Sequence, residues 1–474
     1  MELEQTLIKK IKTAGQEHLL RYWSILTEQE QQEFASQLEA VNFDILPELI
    51  NQYVLNRPQT AIPADLGPAP FFPLNPRSEE EKKRYEQAEK EGKELLKSGR
   101  VCCLTVAGGQ GTRLGFDGPK GSYPIGPVSG RPLFAYFAQN ILRAGEKYGK
   151  PITWYIMTSK LNNQDTVDFF RKNNFFGLQE NQVFFFVQGT MPAIGYDGKL
   201  LMANTHSLSL SPDGHGGTLL ALRKSGALDR MKKEGTDIIS YFQVDNPLVH
   251  VVDPLFIGMH IQENAQMSAV MLSKTGPFEK LGNFCVSGGR LQIIEYSDLP
   301  EELAEKRNAD GTLAFVAGSP AIHLIQRDFV EELTSSGNLR LPWHRADKKI
   351  PFIDENGSAI SPSEPNGVKL ESFIFDALPL ASRTMVMEFD RAEVFAPTKN
   401  PTGVDSAESC RRMLVDRDLK RLASVGVRIP CKADGTPDVT VEISPRLVLD
   451  AEDAAQLATS RLIDFENGMK VVIE

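Results

Sequence analysis

Apolar residues recur along this chain in two rhythms, and the changes of rhythm mark its parts. In residues 1 to about 56, Phe34, Leu38 and Val41 lie at i, i+4 and i+7 and share one helical face. Thr27 and Glu30 fit a capping box, in which each side chain satisfies an orphan backbone N–H. Residues 57–77 carry six prolines (Pro58, Pro63, Pro68, Pro70, Pro73 and Pro76), which exclude a regular helix or a central strand and predict an extended linker. Ser78 and Glu81 open a second capping box, and the helix EEEKKRYEQAEKEGKELLKS runs from it to Gly99. Short apolar runs of strand length follow: VCCLTVAGG (101–109), ITWYIMTS (152–159), VFFFV (183–187), IISYFQVDN (238–246) and MSAVMLS (267–273). Helical stretches such as NNQDTVDFFRKN lie between several of them. This alternation predicts an α/β layered domain with a mostly parallel sheet. From about residue 384 the pattern turns to short β-like runs, VTVEI among them. The expected division is a helical N-terminal region with its linker (1–98), a main domain (99–383) and a small C-terminal domain (384–474).

Composition narrows the function classes. A chain of 474 residues suggests two to four domains, and 41% hydrophobic residues supply an ordinary globular core. A net charge of −10 argues against a general nucleic-acid binder, whose footprint is a basic face. Charges interrupt MELEQTLIKKIK too early for a secretory h-region, and no run approaches the ~18 apolar residues of a membrane span. The five cysteines (Cys102, Cys103, Cys285, Cys410, Cys431) are odd in number and form no CxxC pair. They read as reduced packing residues of a cytoplasmic protein, with Cys102 and Cys103 facing opposite sides of one strand.

The chemistry concentrates in LTVAGGQGTRLGFDGPKG (104–121). A Walker loop requires G-x-x-x-x-G-K-[ST], but Lys120 stands between Pro119 and Gly121. A dinucleotide fingerprint requires a third glycine where Leu114 stands. What remains is a polyanion site. Glycines let backbone N–H groups approach phosphate oxygens, Thr112 adds a hydroxyl, and Arg113 and Lys120 bring two cations to one place.

These residues resemble the eukaryotic-type UDP-sugar pyrophosphorylases among the sugar nucleotidyltransferases, most of all the N-acetylhexosamine branch. The resemblance rests on AGGQGTRLGFDGPKG, WYIMTS, QGTMPAI, SPDGHGG, VDN, IIEYSDL, PNGVKLESFIFD and FAPTKN, and it spans about residues 80–410. It implies a GT-A-like, Rossmann-related catalytic domain with a mixed, mostly parallel sheet flanked by helices. It implies uridylyl transfer from UTP to a sugar 1-phosphate with release of pyrophosphate, assisted by Mg²⁺ or Mn²⁺. On this resemblance Ala107, Gly108, Gly109, Gly111 and Thr112 hold the nucleotide, and Gln188 and Gly214 recognise uridine. Arg113, Lys120 and Lys399 act on the phosphates, and Asp245 holds the metal. Gly282, Glu295 and Lys369, with His215 and Ser319, lie around the sugar phosphate.

The nucleophile of such a reaction is already an anion, so no general base is needed. The absence of a triad or paired-carboxylate signature fits. Three positions depart from the N-acetylhexosamine pattern: His215, Ser319 and Ile322 each replace a typical asparagine. The sugar therefore stands as N-acetylglucosamine or N-acetylgalactosamine 1-phosphate, with glucose 1-phosphate or a broad sugar set as the alternative. A UDP-sugar-consuming GT-A glycosyltransferase would want a D-x-D pair, whereas Asp245 is followed by Asn246 and Pro247. A non-catalytic nucleotide-sugar sensor would have no need of the intact cations.

Overall fold

A computed structural model describes residues 3–57 and 62–474. Pro58, in the proline run, lies outside the described residues. The chain divides into two compact units: Met1–Ile62, Gln188–Thr218 and Leu339–Asp376 form one, and Pro63–Val187, Leu219–Asn338 and Ala377–Glu474 form the other.

In the first unit the N-terminal helices bury the face the periodicity indicates. Phe34 and Leu38 are fully buried, and Val41 packs beside them. The capping box of Thr27 and Glu30 closes in both directions at the start of helix Glu28–Ala40. That helical layer shares its core with strand residues Ile194, Met202, Leu208, Val368 and Leu370. Buried Gln16 ties the layers together: its amide N–H donates to Gly198 O (2.9 Å), and its Oε1 accepts from Leu200 N (2.9 Å). Strand Gly367–Glu371 is central to a small antiparallel sheet, between His344–Lys348 and Ile194–Gly195.

The second unit is built on an eleven-stranded mixed sheet. Helix α1 (Glu79–Lys97) starts at the Ser78–Glu81 capping box. Strand β1 (Val101–Val106) follows, then helix α2 (Leu133–Tyr148), β2 (Trp154–Thr158), helix α3 (Asn163–Lys172) and β3 (Val183–Val187). After β4 (Ile238–Gln243), helix α4 (Pro254–Gln262) leads to β5 (Met267–Ser273). The sheet is parallel through β4, β1, β2 and β3, in that order. Beyond β4 it becomes largely antiparallel, through β6 (Gly282–Ser287), β7 (Arg290–Ile294), β8 (Ala317–Ser319) and β9 (His323–Gln326). Strand β10 (Thr384–Glu388) pairs with β5 in parallel. Short strands with few apolar residues give little periodicity, which is why most of the antiparallel half was not read from sequence.

From Gly67 to Phe72 the proline run is held by the sheet. Gly67 and Pro68 pair with β6, and Phe72 bridges Met387 of β10. Proline suits such an edge position, because a missing N–H there leaves no ladder bond unmade. Helices α1 and α4 approach closely through small residues. A Cβ on Gly258 would sit 1.7 Å from Ala88 O, and one on Gly92 would sit 1.8 Å from Pro254 O. Gly258→Ala is therefore expected to cost at least the ~1–3 kcal/mol of ordinary overpacking, because the obstacle is backbone. A urea midpoint unchanged from the parent would contradict it.

The chain ends in helix α5 (Ala407–Ser424), strand β11 (Val439–Ile443), helix α6 (Ala451–Ser460) and strand β12 (Met469–Ile473). Strands β11 and β12 pair in parallel over a core of Leu419, Leu422, Val441, Ile443 and Leu457. All five cysteines are free. Four are buried, whereas Cys431 is exposed, which departs from the expectation that all five pack inside. Among the described residues no helix is long and apolar enough to cross a membrane.

Candidate active site

The carboxyl ends of β1, β4 and β2 come level, since Val106 pairs with Gln243 and with Met157. Ligands of open α/β sheets bind at such an edge. The glycine loop leaves β1 there. Ala107 N donates to Met157 O (2.7 Å), and Lys120 N donates back to Gly109 O (3.0 Å). Gly111 N donates to Gly118 O (2.9 Å), so the loop closes on itself. Gly115 takes φ +67°, a left-handed conformation that favours glycine.

Two glycines have plain packing reasons. A Cβ on Gly111 would meet the Phe116 ring at 2.7 Å, and one on Gly121 would meet the Phe134 ring at 2.1–2.5 Å. Gly109 is different. It is exposed, and an added Cβ meets nothing within 4 Å, so no protein neighbour accounts for glycine there. Thr112 and Arg113 are exposed, and Gly108 is half-buried.

Lys120 and Asp245 lie side by side. The Lys120 ammonium is 3.6 Å from Asp245 Oδ2, and both side chains are largely buried, at 17% and 10% exposure. The backbone of Asp245 anchors a third segment, since its carbonyl accepts from Thr398 N (2.9 Å). Asn246 reinforces this. Its side chain donates to Val394 O (2.7 Å) and accepts from Ala396 N (2.9 Å). The exposed Lys399 follows, with its N–H on Asp405 O (2.6 Å). The sequence motifs around residues 107–120, 244–246 and 395–400 are thus brought to one strand edge.

Sequence reasoning missed two residues of this edge. Asn162, fully buried, donates to Ala107 O (3.0 Å) and Gly109 O (3.2 Å) while accepting from Ser159 N (2.8 Å). It clamps the root of the glycine loop to the end of β2. The signal was its place just before a helix, where asparagine serves as an N-cap. Asp405 is the other. Burial pushes its carboxyl up, nearby Lys399 pulls it back, and Asp245 adds to the rise. Its neighbourhood to Asp245 makes it a second carboxylate for this edge.

Mg²⁺ needs few protein ligands, because it keeps waters and takes phosphate oxygens. Asp245, buried beside Lys120, is the carboxylate of this edge that would meet that demand. Among the described residues no cluster of three or more His, Cys, Asp or Glu side chains is arranged to hold a metal by itself.

Gly282, Glu295 and Ser319 meet on the antiparallel half of the same sheet. Gly282 pairs with Ser319 across β6 and β8, and a Cβ on Gly282 would stand 3.7 Å from Glu295 Oε1. Ser319 Oγ accepts from Ala321 N (3.3 Å). Beside them is Lys274, which sequence reasoning also missed. It is 7% exposed, its ammonium donates to Asn283 Oδ1 (2.5 Å), and burial lowers its pKa. A lone lysine ending an apolar strand was the available signal. Ile322, expected near the sugar, is a core residue at 5% exposure; its apolar side chain packs with Leu324 and Val270.

Gln188, Gly214, His215 and Lys369 belong to the first unit. Buried Gln188 donates from Nε2 to Gly214 O (2.7 Å). Gly214 takes φ +84°, and a Cβ there would meet Ser372 O at 2.2 Å, so only glycine fits. His215 stacks on Phe373 (5.2 Å between ring centres), and its Nδ1 accepts from Ile374 N (3.2 Å), which leaves Nε2 as the N–H of the neutral ring. Phe373 also stacks on His344 at 4.3 Å. Lys369 is half-buried on strand Gly367–Glu371.

Burial, then the nearby His344, pushes the His215 pKa down to about 4. An unfolded histidine titrates near ~6.5, so between those values the unfolded chain binds more protons. The contribution of His215 to stability is full above pH ~6.5 and is lost as the pH falls toward 4. An NMR titration of the ring is expected to show a midpoint near 4. A midpoint above ~6 would contradict the neutral ring.

Residues 68–419 match the family model described as UTP–glucose-1-phosphate uridylyltransferase. The chain is similar to UDP-N-acetylhexosamine pyrophosphorylase-like protein 1 of Homo sapiens, at 34% identity over 95% of this chain and 94% of that one. It is also similar to the UDP-N-acetylglucosamine pyrophosphorylase of Saccharomyces cerevisiae, at 34% identity over 94% and 95% of the two chains. Among solved structures, the uridine diphosphate N-acetylglucosamine pyrophosphorylase of Trypanosoma brucei superposes with a TM-score of 0.83. That pair is 25% identical and covers 100% of this chain and 98% of that one.

Proposed function

We propose a reaction that proceeds from this premise: the chain belongs to the UTP–glucose-1-phosphate uridylyltransferase family. It is a nucleotidyltransferase, and it transfers the uridylyl group of UTP to N-acetylglucosamine 1-phosphate, releasing pyrophosphate. The observation that carries the mechanism is the meeting of Lys120 and Asp245 at the carboxyl edge of the parallel strands, 3.6 Å apart. A phosphate oxygen of the sugar phosphate attacks the α-phosphorus of UTP. One P–O bond forms there as the bond to the β-phosphate oxygen breaks, and pyrophosphate leaves. No proton has to move, so the task is alignment and charge neutralisation.

In this reading the backbone of Ala107, Gly108, Gly109 and Gly111, with Thr112, holds the nucleotide phosphates. Gly109 offers N–H access without a side chain in the way. Arg113, Lys120 and Lys399 neutralise the triphosphate and the leaving pyrophosphate. Gln188 and Gly214 read the uracil edge. Gly282, Glu295 and Ser319, with His215 and Lys369, receive the sugar phosphate. Mg²⁺ (or Mn²⁺) would be held by Asp245, with Asp405 as the second candidate, and would supply positive charge to the phosphates. The free cysteines support a reducing, cytoplasmic setting.

Pyrophosphate release from UTP across a panel of sugar 1-phosphates tests the reading. N-acetylglucosamine 1-phosphate is expected to give the highest kcat/KM, ahead of glucose 1-phosphate. If no sugar phosphate supports release while a UDP-sugar still binds, the enzyme reading is lost.

A further inference from the structure

Glu442 lies on β11, far along the chain from the glycine loop, yet it is one of the most heavily bonded carboxylates of the second unit. It is 1% exposed. It accepts hydrogen bonds from Val128 N (3.0 Å), Ser129 N (2.8 Å), Ser129 Oγ (2.6 Å), Arg131 Nη1 (3.1 Å) and the Tyr136 hydroxyl (2.9 Å). A buried carboxylate is costly unless it is paired and fully bonded. Burial works to raise its pKa, but these donors outweigh it and hold the group below the usual glutamate value. The turn it gathers is tight: a Cβ on Gly126 would meet Arg131 N and Ser129 Oγ at 2.6 Å.

That turn is the continuation of the Lys120 segment. Tyr123 N donates to Lys120 O (3.0 Å), Leu133 N donates to Tyr123 O (3.1 Å), and Ile125 N donates to Arg131 O (3.0 Å). Downstream, helix α2 carries Phe134, whose ring fills the place a Cβ on Gly121 would need. Upstream, the Tyr123 ring meets Phe116 edge-on at 5.5 Å, and Phe116 packs under Gly111 and Gly118. Helix α5 adds a second tie: Arg411 donates to Pro124 O (2.7 Å) and lies over the Tyr123 ring. That helix starts a few residues after Lys399. The C-terminal module therefore grips the Lys120 segment through the 126–131 turn and Arg411, and helix α5 follows closely on Lys399.

We propose that Glu442 is a positioning residue for uridylyl transfer: by gathering the 126–131 turn, it fixes the 119–123 segment and so the place of the Lys120 ammonium beside Asp245. The proposal rests on the reading of Lys120 as a phosphate cation. Glu442 touches no substrate in it, and the C-terminal module acts as a brace between two cations of the site.

The test compares Glu442→Gln, Glu442→Asp and Ser129→Ala in the full chain. Glu442→Gln replaces one acceptor oxygen by a donor facing the donors of the turn. It is expected to lower kcat about 10- to 100-fold, with KM for UTP changed less than about threefold. Ser129→Ala, which removes one donor, is expected to lose less than about tenfold, and Glu442→Asp is expected to fall between the two. Amide hydrogen exchange supplies the readout that a merely stabilising carboxylate would not give: faster exchange in both 126–131 and 119–123. Should Glu442→Gln fail to fold, Ser129→Ala read by exchange and kcat decides. A loss of thermal stability with kcat and 119–123 exchange unchanged overturns the proposal, as does a fall in kcat with no change in 119–123. If the parent protein releases no pyrophosphate with any sugar phosphate, the reaction reading fails. Exchange in 119–123 still reports whether Glu442 holds that segment.

Discussion

Lys120→Ala is expected to cut kcat about 10²–10³-fold while weakening UTP binding less than about tenfold. The asymmetry follows from where charge develops. On the proposed reading, the glycine-loop backbone and Arg113 would already hold the triphosphate in the ground state. In the transition state the bond to the β-phosphate breaks, and the leaving pyrophosphate gains charge that the ammonium meets in a largely buried place. A buried point charge acts in a lower effective dielectric than an exposed one, so its removal is felt most when that charge appears. The backbone of the loop should survive the change, because Lys120 N, not its side chain, closes the loop on Gly109 O. Single-turnover rates set against calorimetric UTP affinity separate the two effects. Equal losses in both would make Lys120 a uniform binder and not a transition-state cation.

Much of this site was legible because its residues travel in contiguous blocks. The loop from Ala107 to Gly121 announces itself by its glycines and cations. The apolar run ending at Val244 puts Asp245 at a strand end, as the register of β4 against β1 confirms. Capping boxes at Thr27 and Ser78 were readable for the same reason, since donor and acceptor stand three residues apart. What stayed hidden depends on pairing between distant segments. Asn162 is one asparagine among several until β2 places it beneath Ala107. Lys274 reads as a solvated lysine until Asn283 is brought opposite it. Ile322 departs from a motif asparagine, and only the sheet shows its side chain packing inward. Glu442 is the extreme case. It sits in VTVEI, where alternation gives no hint that its face turns to a loop more than three hundred residues earlier. Most of the antiparallel half of the sheet was unread for a related reason, since glycines and polar residues break up the apolar runs of β6, β8 and β9.

Asp245→Asn is expected to lower kcat about 10³-fold at saturating UTP and to raise the Mg²⁺ concentration needed for half-maximal rate. The substitution is nearly isosteric, and apart from Lys120 the architecture around it does not use the carboxylate. The bond from Thr398 N goes to the Asp245 carbonyl, and the neighbouring segment hangs on the Asn246 side chain. Some fold stability should be lost, since Lys120 keeps its charge without its partner in a largely buried place. An amide still offers an oxygen, but a neutral one, and Mg²⁺ selects anionic oxygen when it gives up water. Mn²⁺ binding in the presence of UTP, followed by electron paramagnetic resonance, reads the metal without relying on turnover. It is expected to weaken in Asp245→Asn and to weaken less in Asp405→Asn. Unchanged Mn²⁺ affinity together with a large fall in kcat would move Asp245 from metal holder to partner of Lys120. Its part in the reaction would then be to set the ammonium's position.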